Sequence, residues 1–498
     1  MGNLPGRLPL AFRDYSLVGP LESPSAIMSL RTPEQREDEL QETTPVLANQ
    51  RPQGTVAGAS TSQEFYMPHV PAVDYLSESL PLLFMSCTRS IPIAGTDDMQ
   101  ALSFHRTVFG PLKSTRTPAN SAHSIFVNCA IDKQMALHFL LAVAHCELSL
   151  YYGTGLDLPR ESYLHFDQGS QLLRHALAPR GPTDHITFLL SFLYMFMFMM
   201  RSDQPAPQKL RELSRVVVDY VQNHNVDEFC INEDVNIFSQ DSSAGLLIPD
   251  QVLLARIFTY LYDRDGFCSF FGCGGSFATF VNGDASKRRK IWTLSRTVFL
   301  FSKESDLSSG TISEIQDAVV LDLYFTLIAV HHEINLYSQT GNISTCGDER
   351  RLKQHLDQLR EEHSSVFSLV IDNVSQGAAP SLMACVAVTI FFALQIYLHR
   401  SRRSAFGAGP LCHEVRSALS SLVTAAYNTV TTGPVLLLER FQWSLFIGGI
   451  ETHDPVHREW IANHLSDPAL KKAFRLVQEE KMNSLVTMQS LRRMIGGE

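Results

Sequence analysis

Long runs with almost no polar face narrow the possible folds most. Asp132–Tyr152 carries Met135, Leu137, Phe139, Leu140, Val143, Ala144 and Leu148. A helix that is apolar nearly all round is a core helix. Ile186–Met200 is apolar for about fifteen residues, and Ser381–Leu398 for about eighteen. A bilayer span takes about 20 residues. The first run is too short, and Gln395 interrupts the second, so both read as buried helices. No stretch alternates long enough to build a sheet. The expected fold is all-α, a multi-helix bundle of about ten or more helices.

The chain has 498 residues, 45% hydrophobic and 18% charged, enough for one large core or two. Residues 1–70 are rich in Pro, Ser, Thr, Gln and Glu and poor in aromatics. Such a segment cannot offset the entropy of ordering, and a disordered tail is expected there. Within it, Thr32–Glu42 has the caps of a short acidic helix, a docking or activation segment if it is more than solvated tail. Residues 71–498 then form the helical domain. The net charge of -10 argues against nucleic-acid binding by bulk charge. The start lacks an apolar signal core, and the 9 Cys contain no C-x-x-C, so they read as reduced thiols. Asn342-Ile343-Ser344 and Asn373-Val374-Ser375 match the glycosylation pattern by chance on this reading.

Amphipathic helices are predicted over Ser162–Leu177 and Leu470–Met494, a long apolar one over Glu314–Tyr337, and further helices over Lys209–Val221, Gln251–Tyr262, Trp292–Ser302 and Cys412–Thr431. Asp348–His363 is a surface helix with a narrow stripe of Leu352, Leu356 and Leu359. Gly266–Val281 interleaves glycine with phenylalanine and reads as a buried loop or short turns. Lys287, Arg288, Arg289 and Lys290 form a basic run, read as a nuclear import signal, an anion patch or a solvated loop.

Near the C-terminus, Trp443, Phe446, Ile447 and Ile450 share one helix face. Gly448 and Gly449 interrupt it, which suggests another backbone passing close by. Pro455 ends that helix and opens a second, which carries Trp460 and Ile461 inward. This corner, with Trp443, Phe446, Gly448, Glu451 and Trp460 as its structural signature, resembles the closing motif of the fungal-specific transcription factor domain. The order of Leu137–Tyr152, Tyr163–Leu177 and Ile186–Met200 resembles the same family, and the likeness runs from about Phe126 to Phe474.

Catalytic motifs are missing: G-x-S-x-G, the phosphate-cradling P-loop and G-x-G-x-x-G at a helix start. His332-Glu333 and His413-Glu414 each lack the second histidine of H-E-x-x-H. His138 and His145 share a face beside Cys146, but no third ligand is visible near them, so they read as core histidines. Cys268 and Cys273 alone make no zinc site. No catalytic, cofactor-binding or metal residue is assigned, and no cofactor is expected.

The resemblance implies a nuclear transcription regulator, not an enzyme, controlling a metabolic or secondary-metabolite gene set. Its partners would be the transcription machinery or other transcription factors, as a homo- or heterodimer, with a small hydrophobic ligand and no membrane. Leu189–Met200 and Phe267–Phe280 are the segments expected to line an apolar cavity, or else to be plain core. Family members usually open with a six-cysteine zinc cluster that reads DNA, whereas the first cysteine here is Cys87. On this reading the cluster has been lost, or lies upstream of this sequence, or the protein regulates through partners. The alternative is an interaction scaffold that pairs with other transcription factors without touching DNA.

Overall fold

A computed structural model describes residues 95–115, 121–152, 158–177, 184–201, 207–231, 247–296, 317–340, 346–372, 379–402, 404–409, 411–433 and 437–496. The expected tail, its acidic helix and both glycosylation-like triplets lie outside the described residues. Every regular element among the described residues is helical.

Helix α1 (Thr96–Phe104) runs on through a π turn (His105–Phe109) to Leu112. It is followed by α2 (Ala122–Ile131), α3 (Gln134–Tyr151), α4 (Arg160–Ala176), α5 (His185–Met199) and α6 (Pro207–His224). Next come α7 (Leu247–Cys268), α8 (Ser276–Asn282), α9 (Ala285–Ser295), α10 (Ala318–Gln339), α11 (Cys346–Glu362) and α12 (Ser364–Ile371). The chain closes with α13 (Leu382–Arg400), α14 (His413–Thr432), α15 (Glu439–Glu451), α16 (Pro455–His464), α17 (Pro468–Glu480) and α18 (Met488–Gly496).

Two helix groups share one core. In the first, α3 packs on α1, α4 and α5; in the second, α13 packs on α10, α14 and α15. α7 joins them by packing on α5, α9 and α10. The apolar runs form α3, α5 and α13, as their lack of a polar face requires. α10 and α13 are long and apolar enough to cross a membrane, but most of each is buried within the protein. Caps set several starts: Asp184 accepts from the Thr187 amide at 3.1 Å, and Ser381 from that of Ala384 at 3.2 Å.

Four expectations change. The helix over Gln251–Tyr262 extends to Cys268, so Gly266 and Phe267 are helical. What remains of the glycine-phenylalanine stretch wraps a buried carboxylate. Asp265 accepts from the Gly275 and Ala278 amides at 2.9 and 2.8 Å. Gly274 and Gly275 have φ of 74° and 87°, and a Cβ on Gly274 would sit 2.9 Å from Asp265 Oδ1. Only glycine fits there without strain.

The basic run Lys287–Lys290 lies inside α9, not in a loop, because Asp284 caps that helix by accepting from the Lys287 amide at 2.9 Å. The Leu470–Met494 segment is two helices. Asn483 and Ser484 turn their amides back onto the Glu480 carbonyl, and Thr487 and Ser490 cap α18 reciprocally. Short polar side chains that bond to nearby backbone outcompete helix continuation at this point.

The fourth change concerns the corner itself. The two glycines of α15 admit side chains rather than a backbone. A Cβ on Gly448 would lie 2.8 Å from Leu422 Cδ2, and one on Gly449 would lie 2.8 Å from Phe474 Cε2 and 2.9 Å from Ile461 Cγ2. Ile461 is buried as expected, but Trp460 stays partly exposed, tilted against His464 with ring centroids 4.3 Å apart.

Gly449→Ala gains about 1 kcal/mol of helix propensity. It also forces α16 and α17 outward, an overpacking of about 1–3 kcal/mol. The expected net result is a lower urea midpoint; an unchanged or raised midpoint would contradict this packing.

Candidate functional site

Every residue of α15 from Arg440 to Glu451 is buried, although four of them, Arg440, Gln442, Ser444 and Glu451, are polar or charged. Burying such groups is unfavourable unless each is paired. Arg440 Nε donates to Asp263 Oδ1 at 2.7 Å, and its Nη1 faces His331 Nδ1. Gln442 donates to the His464 carbonyl at 3.0 Å and accepts from the Ser466 and Asp467 amides. Glu451 takes Arg400 Nε at 3.1 and 3.0 Å on its two oxygens and the Gly407 amide at 3.0 Å. Trp443 fills the centre, its ring 4.1 Å from that of His331 and 5.7 Å from that of Phe270. Phe446 is fully buried beside it on the same helix.

The helix begins in a cluster of charges. Glu439 Oε1 accepts from Lys113 Nζ and from Arg264 Nη1 at 2.7 Å, with Arg201 4.0 Å away. Arg201 also pairs with Glu147 and, at 2.6 Å, with Asp467. Three cations thus face three carboxylates, drawn from three helices, the end of the α1 segment and two interhelical turns. Burial pushes the Glu439 carboxyl up, but Arg264, Lys113 and Arg201 outweigh it and hold it well below the usual range. Burial brings the Lys113 ammonium down to about 8 against the pull of Glu439.

This cluster forms a wall shared by two cavities, both lined by Lys113 and Arg264. The smaller, about 30 Å³, is lined by Met197, Met200, Phe267, Phe271 and Glu439 among others. The segments expected from sequence to line an apolar space therefore do meet, but around a small one. The larger, about 100 Å³, was not foreseen. Tyr260, Trp292, Leu321, Tyr324, Ile328 and Met383 give it an apolar, aromatic floor. Lys113, Arg256, Arg264 and Arg296 bring positive charge to it, against the one carboxylate of Asp263. Arg264 Nε and Glu439 Oε2 are buried with no hydrogen-bond partner among the described residues. Such a lining suits a compact anion with an apolar body.

The basic run contributes nothing to this site. Lys287 is held by Asp227 at 2.7 Å and Glu228 at 2.6 Å, and Arg288 donates to Asn282. Arg289 and Lys290 are exposed on α9.

Two predictions follow from the buried charges. Glu439→Gln leaves Lys113 and Arg264 without their shared counter-ion, and a loss of roughly 3–5 kcal/mol is expected from urea unfolding. The second concerns pH. Burial, then Arg440, holds His331 well below its ordinary 6.5 and His332 at about 4; burial, then Lys113, holds His123 well below and His105 at about 3. Below pH 6.5 the unfolded chain takes up protons that the folded chain refuses. Stability is therefore lost as pH falls from 6.5, by at most about 1.4 kcal/mol per pH unit for each histidine. Urea midpoints should drop steadily from pH 7 to pH 5; a flat profile would contradict neutral buried histidines.

Compared with known proteins, residues 295–484 match the fungal specific transcription factor domain. The match spans α10 to α17 and includes the whole signature corner, with Glu439. The earlier helices, in which the sequence shows a similar order, lie outside the matched residues. No curated protein and no solved structure matches the chain. Residues 295–484 are thus similar to a fungal specific transcription factor domain, a likeness that supports a role in transcription regulation.

Proposed function

We propose that the chain is a nuclear transcription regulator whose helical domain responds to a small apolar carboxylic acid bound in the 100 Å³ cavity. One observation carries this reading: the cations lining the cavity, Lys113 and Arg264, are the partners of Glu439, the first residue of the signature helix. A ligand carboxylate there competes with Glu439 for the same two cations. Loss of those contacts frees the start of α15 and changes the balance between two arrangements of the domain. The ligand shifts that balance only by its difference in affinity for the two. The cavity is near the roughly 150 Å³ that holds a benzene ring in an engineered core, so a single-ring acid is the expected size. A metabolite of that kind fits control of a metabolic or secondary-metabolite gene set. The transcription machinery or other transcription factors are the partners on this reading, and Arg289 and Lys290 are the exposed residues of the basic run.

A second reading, the scaffold that pairs with other transcription factors, is favoured by Tyr427, Val456 and Trp460. The first two are 56% and 70% exposed, and the Tyr427 and Trp460 rings lie 6.4 Å apart across α14 and α16. An electrophoretic shift on promoter DNA, with and without the paired factor, separates a scaffold from a direct DNA binder.

The ligand reading is tested with benzoate as probe on the full chain. Calorimetry should show one binding site, lost in Tyr324→Trp, which fills the cavity and leaves the cations in place. The chain fused to a foreign DNA-binding module should change reporter output when benzoate is added. Benzoate binding that persists in Tyr324→Trp, or no binding to the unaltered chain, would overturn the proposed site.

A further inference from the structure

Away from this site, three helices bring four polar side chains together on the far side of α3. Asp98 stands on α1, His138 and His145 on α3, and His165 on α4. One oxygen, Asp98 Oδ1, lies 2.8 Å from His145 Nε2 and 3.0 Å from His165 Nε2. The three ligand atoms all fall within 4.8 Å of one another. The His145 and His165 rings are nearly parallel, 12° apart, so both present the same edge to that carboxylate. Asp98 and His145 are buried, and the His165 side chain keeps 14% exposure, which leaves a route from solvent.

We propose that Asp98, His145 and His165 form a binding site for a divalent ion of the zinc class. Zinc holds nitrogen and carboxylate oxygen at about 2.0–2.2 Å in a tetrahedron, which sets neighbouring ligand atoms about 3.3 Å apart. The two separations to Asp98 Oδ1, 2.8 and 3.0 Å, lie within a few tenths of an ångström of that value, and the two imidazole nitrogens, within 4.8 Å of each other, close on a shared ion by side-chain rotation. Two neutral imidazoles and one carboxylate are a ligand set suited to zinc, and three ligands leave the fourth position for water or a partner's side chain.

His138 supplies the outer support. Its Nδ1 lies 3.0 Å from His165 Nδ1, with the two rings stacked at 5.3 Å. When His165 Nδ1–H donates to His138, His165 Nε2 carries a lone pair and faces the Asp98 carboxylate. Two lone pairs then meet, and a cation between them resolves the repulsion. The opposite tautomer, with His165 Nε2–H donating to Asp98, is the metal-free state. Metal binding thus moves the His165 proton from Nε2 to Nδ1 and leaves the ring neutral in both states. A bound ion ties α1 to the α3–α4 pair, which are the helices it touches.

The sequence conceals this site. His138 and His145 were visible as a pair on one face, but their partners lie on separate helices, 47 residues before His145 and 27 after His138.

The test loads the full chain, stripped with chelator, with zinc chloride alone. Calorimetry and elemental analysis after dialysis should both give about one zinc per chain. Asp98→Asn keeps the acceptor oxygen for both histidines and so preserves the fold, but removes the charge. It should lose bound zinc while retaining the helical circular dichroism of the parent. His138→Phe should weaken affinity by about 10- to 100-fold, as expected for an orienting partner. Less than about a tenth of an equivalent in the parent chain overturns the proposal. So does zinc retained at full stoichiometry in the Asp98→Asn, His145→Gln double variant, which would place the metal elsewhere.

Discussion

The structure depends most on the burial of Glu439 among Lys113, Arg264 and Arg201. Desolvating one carboxylate without partners is prohibitive, so the buried position of α15 depends on α7, the end of the α1 segment and the turn after α5. The same logic holds along the helix. Arg440 needs Asp263 from α7, Gln442 needs the turn between α16 and α17, and Glu451 needs Arg400 from α13. A mostly apolar helix would slide and rotate in such a core at little cost. These polar contacts fix its register, and each is directional. The domain is therefore assembled around a helix whose position is specified by charge and whose stability comes from apolar burial.

That arrangement links the helix to a possible input. Glu439 shares its cations with a cavity on the other side of the wall. Three cations against three carboxylates is a balanced set, so one more anion disturbs it and must displace an existing contact. The matched family region contains Glu439 and the signature corner, while Lys113, Arg201 and Arg264 come from helices before it. The matched region and the helices that precede it are thus one electrostatic unit.

Much of the fold was legible in the sequence because apolar spacing is a local signal. The runs that became α3, α5 and α13 had to be buried whatever surrounded them, and the corner at Pro455 follows from proline geometry. Boundaries failed where local polar chemistry decided them, as at Ser484 and Thr487, or where a distant residue did, as with Asp265 and the glycines it binds. Trp460 failed for a third reason: a neighbouring ring, His464, satisfied it at the surface. The site was hidden more deeply. Lys113 and Glu439 are 326 residues apart, and neither stands out in its own segment. Lys113 follows a short apolar turn and Glu439 looks like an ordinary first-turn acid. Only packing shows that both are inside.

The most direct test of this account is a double-mutant cycle on Lys113→Met and Glu439→Gln, read by urea unfolding of the full chain. If the buried pair organises the start of α15, the two changes are coupled by about 2–3 kcal/mol, with the double variant less damaged than the sum of the singles. If they add within about 0.5 kcal/mol, the pair does not hold the helix, and neither its register nor its link to the cavity can rest on Glu439.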